Sequence, residues 1–159
     1  MGSRSKTDLA YIAGFLDGDG SLMLQVKKRS DGKIGKRFMC TICFYQDSRH
    51  EETLYWIRKI LGIGYVSRRN DGISELRING YKQVYGILQK LLPFIRLKKR
   101  QAESLHKAAT LLLAKKFQKL DKKDFSNLVD WVISIQENNY VTKRKRTRNE
   151  LLEVLGLTP

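Results

Sequence analysis

Residues 12–21 read Ile12-Ala13-Gly14-Phe15-Leu16-Asp17-Gly18-Asp19-Gly20-Ser21, and the hydrophobic period changes inside them. Before Asp17, the apolar residues Leu9, Ile12, Phe15 and Leu16 recur at helical spacing. After Gly20 the period is two: Leu22, Leu24 and Val26 alternate with Ser21, Met23, Gln25, Lys27 and Arg29. A helix therefore runs almost directly into a strand. Ala10, Gly14 and Gly18 fall at i, i+4 and i+8, so one face of that helix is made of small residues and admits a second helix at close range. Asp17 and Asp19 fall at its C-terminal end, where the helix dipole is already negative. Acids alone are badly placed there. Acids beside a hard, oxygen-liganded divalent cation such as Mg²⁺ are well placed. The plainer alternative is an Asp-Gly-Asp-Gly turn. A helix-loop-helix calcium site is excluded by register, because its glycine would fall at Leu22 and its bidentate Glu at Lys28.

Working outward, the first helix is expected to begin near Thr7 or Asp8, after a loose tail over 1–6, and to end at about Asp17. Asp31-Gly32 signals a turn into a second strand with Phe38, Cys40, Ile42 and Phe44 on one face. Arg37, Met39, Thr41, Cys43 and Tyr45 take the other. An amphipathic helix follows over 51–61, then a second hairpin over 65–69 and 73–79 about Asn70-Asp71-Gly72, then helices over 81–92 and 98–116. Two more helical segments lie near 124–136 and 148–155, separated by the basic run Lys143 to Arg148. The order α-β-β-α-β-β-α with trailing helices predicts an α+β fold. It is one domain over 7–159, with a four-stranded antiparallel, saddle-like sheet in a core over 8–116 and a helical extension over 117–159.

The chain has 159 residues, with 31 Lys or Arg against 16 Asp or Glu, a formal charge of +15. Its hydrophobic share of 42% supports a packed core, so the charge sits on a folded body and implies a polyanionic partner. No apolar run is long enough to span a bilayer, and no signal-peptide core follows Met1 to Asp8. Cys40 and Cys43 lie three apart on a strand and face opposite sides. They predict free thiols in a reducing, intracellular setting rather than a disulfide or zinc site. A two-stranded ribbon fits the DNA major groove, so the polar sheet face is a candidate base-reading surface. It comprises Met23, Gln25, Lys27, Arg29, Arg37, Met39, Thr41, Cys43, Ser67, Arg69, Glu75 and Arg77. A nine-residue strand extends about 30 Å, roughly nine base pairs of duplex.

Residues 12–20 resemble the signature of the LAGLIDADG homing endonucleases. Ala13, Gly14, Asp17, Asp19 and Gly20 match it outright, and Ile12, Phe15, Leu16 and Gly18 match in kind. Gln46 after the second strand, Gly62-x-Gly64, Pro93-Phe94, Lys98 and Gln101-Ala102 extend the likeness over about residues 8–135. The resemblance implies that the motif helix packs against its copy in a homodimer, through Ala10, Ala13, Gly14, Asp17 and Gly18. It implies Asp19 and the Gly18 carbonyl as metal ligands, and Gln46 and Lys98 as catalytic residues that order solvent around the attacking water. Asp17 is mainly structural, and a further basic residue is either Arg49 or His50. The implied activity is Mg²⁺-dependent cleavage of both strands of a long, roughly palindromic target of about 20 base pairs, with short 3′ overhangs and Mn²⁺ able to replace Mg²⁺. No small-molecule cofactor and no membrane partner are expected. The alternatives are an RNA maturase or regulator that kept the fold without cutting, and a basic membrane-surface protein. The latter would need apolar helix faces that the core already uses.

Overall fold

The computed structural model describes residues 5–28, 35–139 and 145–157. Arg29, the Asp31-Gly32 turn, Lys143 and Arg144 lie outside them. The first helix, α1 (Lys6–Asp19), starts earlier and ends later than its apolar spacing predicts. Ser5, not Thr7 or Asp8, is its cap, accepting from the Asp8 N–H at 3.0 Å. Asp17 and Asp19 therefore lie within its last turn. The chain then enters β1 (Gly20–Lys28) with no loop between. Gly20 makes this possible, since a Cβ there would fall 2.5 Å from Leu16 Cδ1 and 2.8 Å from Leu16 O.

The sheet is antiparallel in the order β1-β2-β4-β3, with β2 at Lys36–Asp47, β3 at Tyr65–Arg68 and β4 at Ile73–Asn79. The β1–β2 ladder runs from Gly20↔Phe44 to Lys28↔Lys36, and β2 meets β4 from Thr41↔Asn79 to Asp47↔Ile73. One face carries Leu22, Leu24, Val26, Phe38, Cys40, Ile42, Phe44, Leu76 and Ile78, all buried. This is the alternation read from the sequence. Helices α2 (Glu52–Leu61), α3 (Tyr81–Leu91), α4 (Lys99–Ala114) and α5 (Lys122–Asn138), with α1, cover that face. Leu128, Val129, Val132 and Ile135 of α5, and Leu151 of α6 (Arg148–Val154), belong to the same continuous core. Residues beyond 116 thus complete the core that holds β1. Cys40 faces the helices and Cys43 the other side. Both are buried and free, and burial pushes the Cys40 thiol up to about 12. Among the described residues no helix is long and apolar enough to cross a membrane.

One packed group has a pH consequence. His106 of α4 stacks on Tyr85 of α3 with ring centroids 4.9 Å apart, and its buried Nε2 has no hydrogen-bond partner among the described residues. Burial lowers its affinity for a proton below that of an exposed imidazole. The unfolded chain then binds more protons, so stability is full above the ordinary pKa of about 6.5 and falls as pH drops below it. His106→Phe, which keeps the stack, is expected to flatten the dependence of the thermal midpoint on pH between about 7 and 5. An unchanged slope would assign it to other groups.

Candidate active site and nucleic-acid interface

The C-terminal end of α1 is clamped by the segment that opens α4. Asp17 accepts three backbone N–H bonds, from Arg96 at 2.8 Å and Leu97 at 3.2 Å on Oδ2, and from Lys98 at 3.0 Å on Oδ1. In return Lys98 Nζ donates to the Leu16 carbonyl at 3.0 Å and the Asp17 carbonyl at 2.6 Å. The last turn of α1 holds no basic residue of its own, so Lys98 places a cation at its negative pole. Lys98 is only 6% exposed. So enclosed, its ammonium is held by the protein's own carbonyls. Burial lowers its pKa, and the charges of Asp17 and Asp19 oppose that shift. Asp17, expected at the dimer interface, is half-buried at the end of α1. Its carboxylate is consumed within the chain, in keeping with a structural role.

Asp19, one residue from the strand, is exposed. So are Ala10, Gly14 and Gly18, and a Cβ on either glycine would meet nothing within 4 Å. The small-residue face is therefore open along its length. Ala13 is not part of it: it is fully buried against the chain's own core, because it projects with Ile12 and Leu16. Gln46 sits half-buried at the far end of β2, two residues past Phe44, the partner of Gly20. Its Oε1 accepts the Asp47 N–H at 2.8 Å. Arg49 is held by Asp47, with Nε to Oδ1 at 3.0 Å and Nη2 to Oδ2 at 2.7 Å, and this keeps the Asp47 carboxyl far below its usual range. His50 is exposed.

Among the described residues no group of three or more His, Cys, Asp or Glu could hold a metal ion. One chain offers a single exposed hard-oxygen ligand, Asp19, at a negative helix end beside an open helix face. That donor type fits Mg²⁺. The number of donors fits only if a second copy supplies another.

On the polar sheet face, Lys27, Arg37 and Arg69 are exposed, and Met23, Gln25, Met39, Ser67, Glu75 and Arg77 are half-buried. Thr41 and Cys43, expected among the base readers, are fully buried. Thr41 Oγ1 donates to Asn79 Oδ1 at 2.7 Å, and Cys43 lies between Ser21 and Arg77 in the ladders. The reason is the strand order. At these positions β2 is flanked on both sides, and its short side chains lie beneath longer neighbours. Arg37 and Met39 lie beyond the end of the β4 pairing and stay open. Two arginines of this face are braced by acids two residues away, Arg77 by Glu75 at 3.1 Å and Arg69 by Asp71 at 2.7 Å. The basic run is divided in function: Lys145 and Arg146 are exposed, whereas Arg148 pairs with Asp130 and Ser126 on α5. Gln136 fastens the Arg146 backbone by bonds of 3.1 Å to both its N–H and its carbonyl, a tie with no signature in the sequence.

The chain and its fold resemble known proteins. The family described as LAGLIDADG endonuclease matches residues 12–104. The DNA endonuclease I-CreI of Chlamydomonas reinhardtii is 31% identical over 95% of this chain and 90% of its own. The DNA endonuclease I-CvuI of Chlorella vulgaris is 37% identical over 94 residues, 59% of this chain, so that match spans only 58% of its length. A crystal structure of the homing endonuclease I-CvuI with the I-CreI target and Mg, its DNA not cleaved, superposes with a TM-score of 0.76 at 28% identity. It covers 97% of this chain and 98% of that one.

Proposed function

Because this chain belongs to the LAGLIDADG endonuclease family, we propose that it is a site-specific homing endonuclease. It acts as a homodimer on a long, roughly palindromic duplex and hydrolyses one phosphodiester in each strand. The observation that carries this reading is the single exposed carboxylate of Asp19, set beside an open Ala10, Gly14 and Gly18 face. Two copies packed through that face bring two such carboxylates together at the centre of a basic molecule. I-CreI and I-CvuI are DNA endonucleases, and the I-CvuI complex contains both DNA and Mg.

Asp19 and the Gly18 carbonyl would hold the cation, Mg²⁺ with Mn²⁺ able to replace it, since both take oxygen ligands in octahedral sites. The bound ion would lower the pKa of an attacking water and neutralise charge on the phosphate. The chain's own groups do the rest. Lys98 fixes the α1 end that carries Asp19 and brings positive charge to within reach of the phosphate. Gln46 offers an amide to solvent beside it. Gln25, Lys27, Arg37, Met39, Arg69 and Arg77 face the duplex, with Glu75 and Asp71 holding two of the arginines in place.

Chelating the divalent cation is expected to stop cutting while leaving duplex binding. Binding should weaken steeply with salt, by a log–log slope of about −0.9 for each phosphate neutralised. A cleavage assay with and without chelator, beside filter binding, checks the first statement, and filter binding across a salt series checks the second. A flat response would remove the sheet face as the interface.

A further inference from the structure

A second polar cluster lies on the helix-facing side of the sheet, outside the α1–α4 clamp. Its centre is Glu51, between the 3₁₀ turn Ser48–His50 and α2. Both Glu51 oxygens accept from Arg68 Nε, at 3.2 and 3.0 Å, and Oε1 accepts from Arg68 Nη2 at 2.7 Å. Oε2 also accepts Ser74 Oγ at 2.5 Å. Ser74 is fully buried and shares a 2.8 Å hydrogen bond with Ser48 Oγ, while the Ser48 N–H donates to the Gly72 carbonyl at 2.9 Å. The ladders place Gln46 opposite Ser74 on one side and Arg68 opposite Ser74 on the other. Glu51 thus ties to a row that runs across three strands and begins at Gln46.

The weights of these contacts indicate what they do. The Arg68 side chain is 71% exposed, so its ion pair is screened and adds little to stability. Glu51 is the enclosed partner at 13%, and its hydrogen bonds from Arg68 and Ser74 hold its carboxyl at about 2, ionised at any working pH. In a chain of +15 that binds a polyanion, Arg68 is a natural phosphate contact. Here it is turned to a carboxylate instead. Among the described residues the Gln46 side chain bonds only locally, its Oε1 to the adjacent Asp47 N–H. Its position depends on the backbone that Ser48, Ser74 and Glu51 hold.

We infer that Glu51 is a positioning residue for strand cleavage. Through Ser74 and Ser48 it fixes the turn after Gln46, and through Arg68 it ties that turn to the hairpin that carries Arg69 and Arg77. This rests on the endonuclease reading. It gives the hairpin that faces the bases a rigid link to the residue that orders solvent at the cut.

The test separates cleavage from binding in the full-length protein on its selected duplex. Glu51→Gln keeps the shape, removes one negative charge and frees Arg68. Duplex affinity measured with Ca²⁺ should hold or tighten. Single-turnover cleavage with Mg²⁺ should slow by about tenfold to a hundredfold. Ser74→Ala, which keeps the ion pair and removes the bridge, should slow cleavage with affinity unchanged. The assignment is overturned if neither variant slows cleavage, or if rate and affinity fall by the same factor, as a merely structural residue would give. The unaltered protein, run alongside, cuts the duplex if the endonuclease reading holds, so a loss confined to the variants speaks to Glu51 alone.

Discussion

Asp19→Asn abolishes cleavage and leaves duplex binding intact. Asn has the shape of Asp, and the exposed position imposes no packing demand. The fold should therefore be indifferent to the change. The chemistry is not, because Asp19 is the one exposed carboxylate at the α1 end and a neutral amide is a poor ligand for a hard cation. Losing metal-supplied stabilisation of several kcal/mol means a rate fall of about a thousandfold or more. Binding moves in the opposite direction. Each chain loses one negative charge from the middle of a basic surface, so affinity without metal should rise. Cleavage assays and filter binding on one duplex read both effects. An Asn variant that cuts at the parental rate would place the metal elsewhere.

Gly18→Leu should convert the protein to a monomer and remove cleavage with it. Within one chain the substitution has no steric cost, since a Cβ at Gly18 meets nothing within 4 Å. Replacing glycine in a helix also gains intrinsic propensity, up to about 1 kcal/mol. The helical circular dichroism signal should therefore persist. In the proposed dimer the cost falls on the second helix, which a leucine on the small-residue face would hold off. With the copies apart, each Asp19 lacks its counterpart and the site is incomplete. Sedimentation equilibrium reads the assembly, and a dimer that survives Gly18→Leu with full activity would move the interface off this face.

The parts legible in the sequence were those governed by short periods. Leu22, Leu24 and Val26 alternate over β1, and the β2 core face follows from Phe38 to Phe44. The small face of Ala10, Gly14 and Gly18 is likewise a matter of spacing. What failed depended on contacts between distant segments. Thr41 and Cys43 sit at alternating positions like true base readers, but the strand order buries them, and periodicity within one strand carries no strand order. Lys98 is one of 31 basic residues. The family likeness singles it out, but what it holds is visible only once the turn before α4 sets its ammonium on the Leu16 and Asp17 carbonyls. Asp17 looks like a partner to Asp19, yet its hydrogen bonds run to residues 79 to 81 positions away. Ser5 precedes Leu9, the first apolar residue of the helical pattern, by more than a full turn, so the apolar spacing gives no sign of it as a cap. Glu51 reads as one more charge on a helix start until the hairpin folds back on it.

The most direct test is to expose a library of randomised long duplexes to the protein with Mg²⁺ and sequence the cut ends. A two-fold symmetric dimer with one Asp19 per half predicts a single class of site, roughly palindromic over about 20 base pairs. It also predicts one scission in each strand, placed symmetrically about the centre and leaving short 3′ overhangs. No cutting, degradation without a common sequence, or scission confined to one strand would contradict the account.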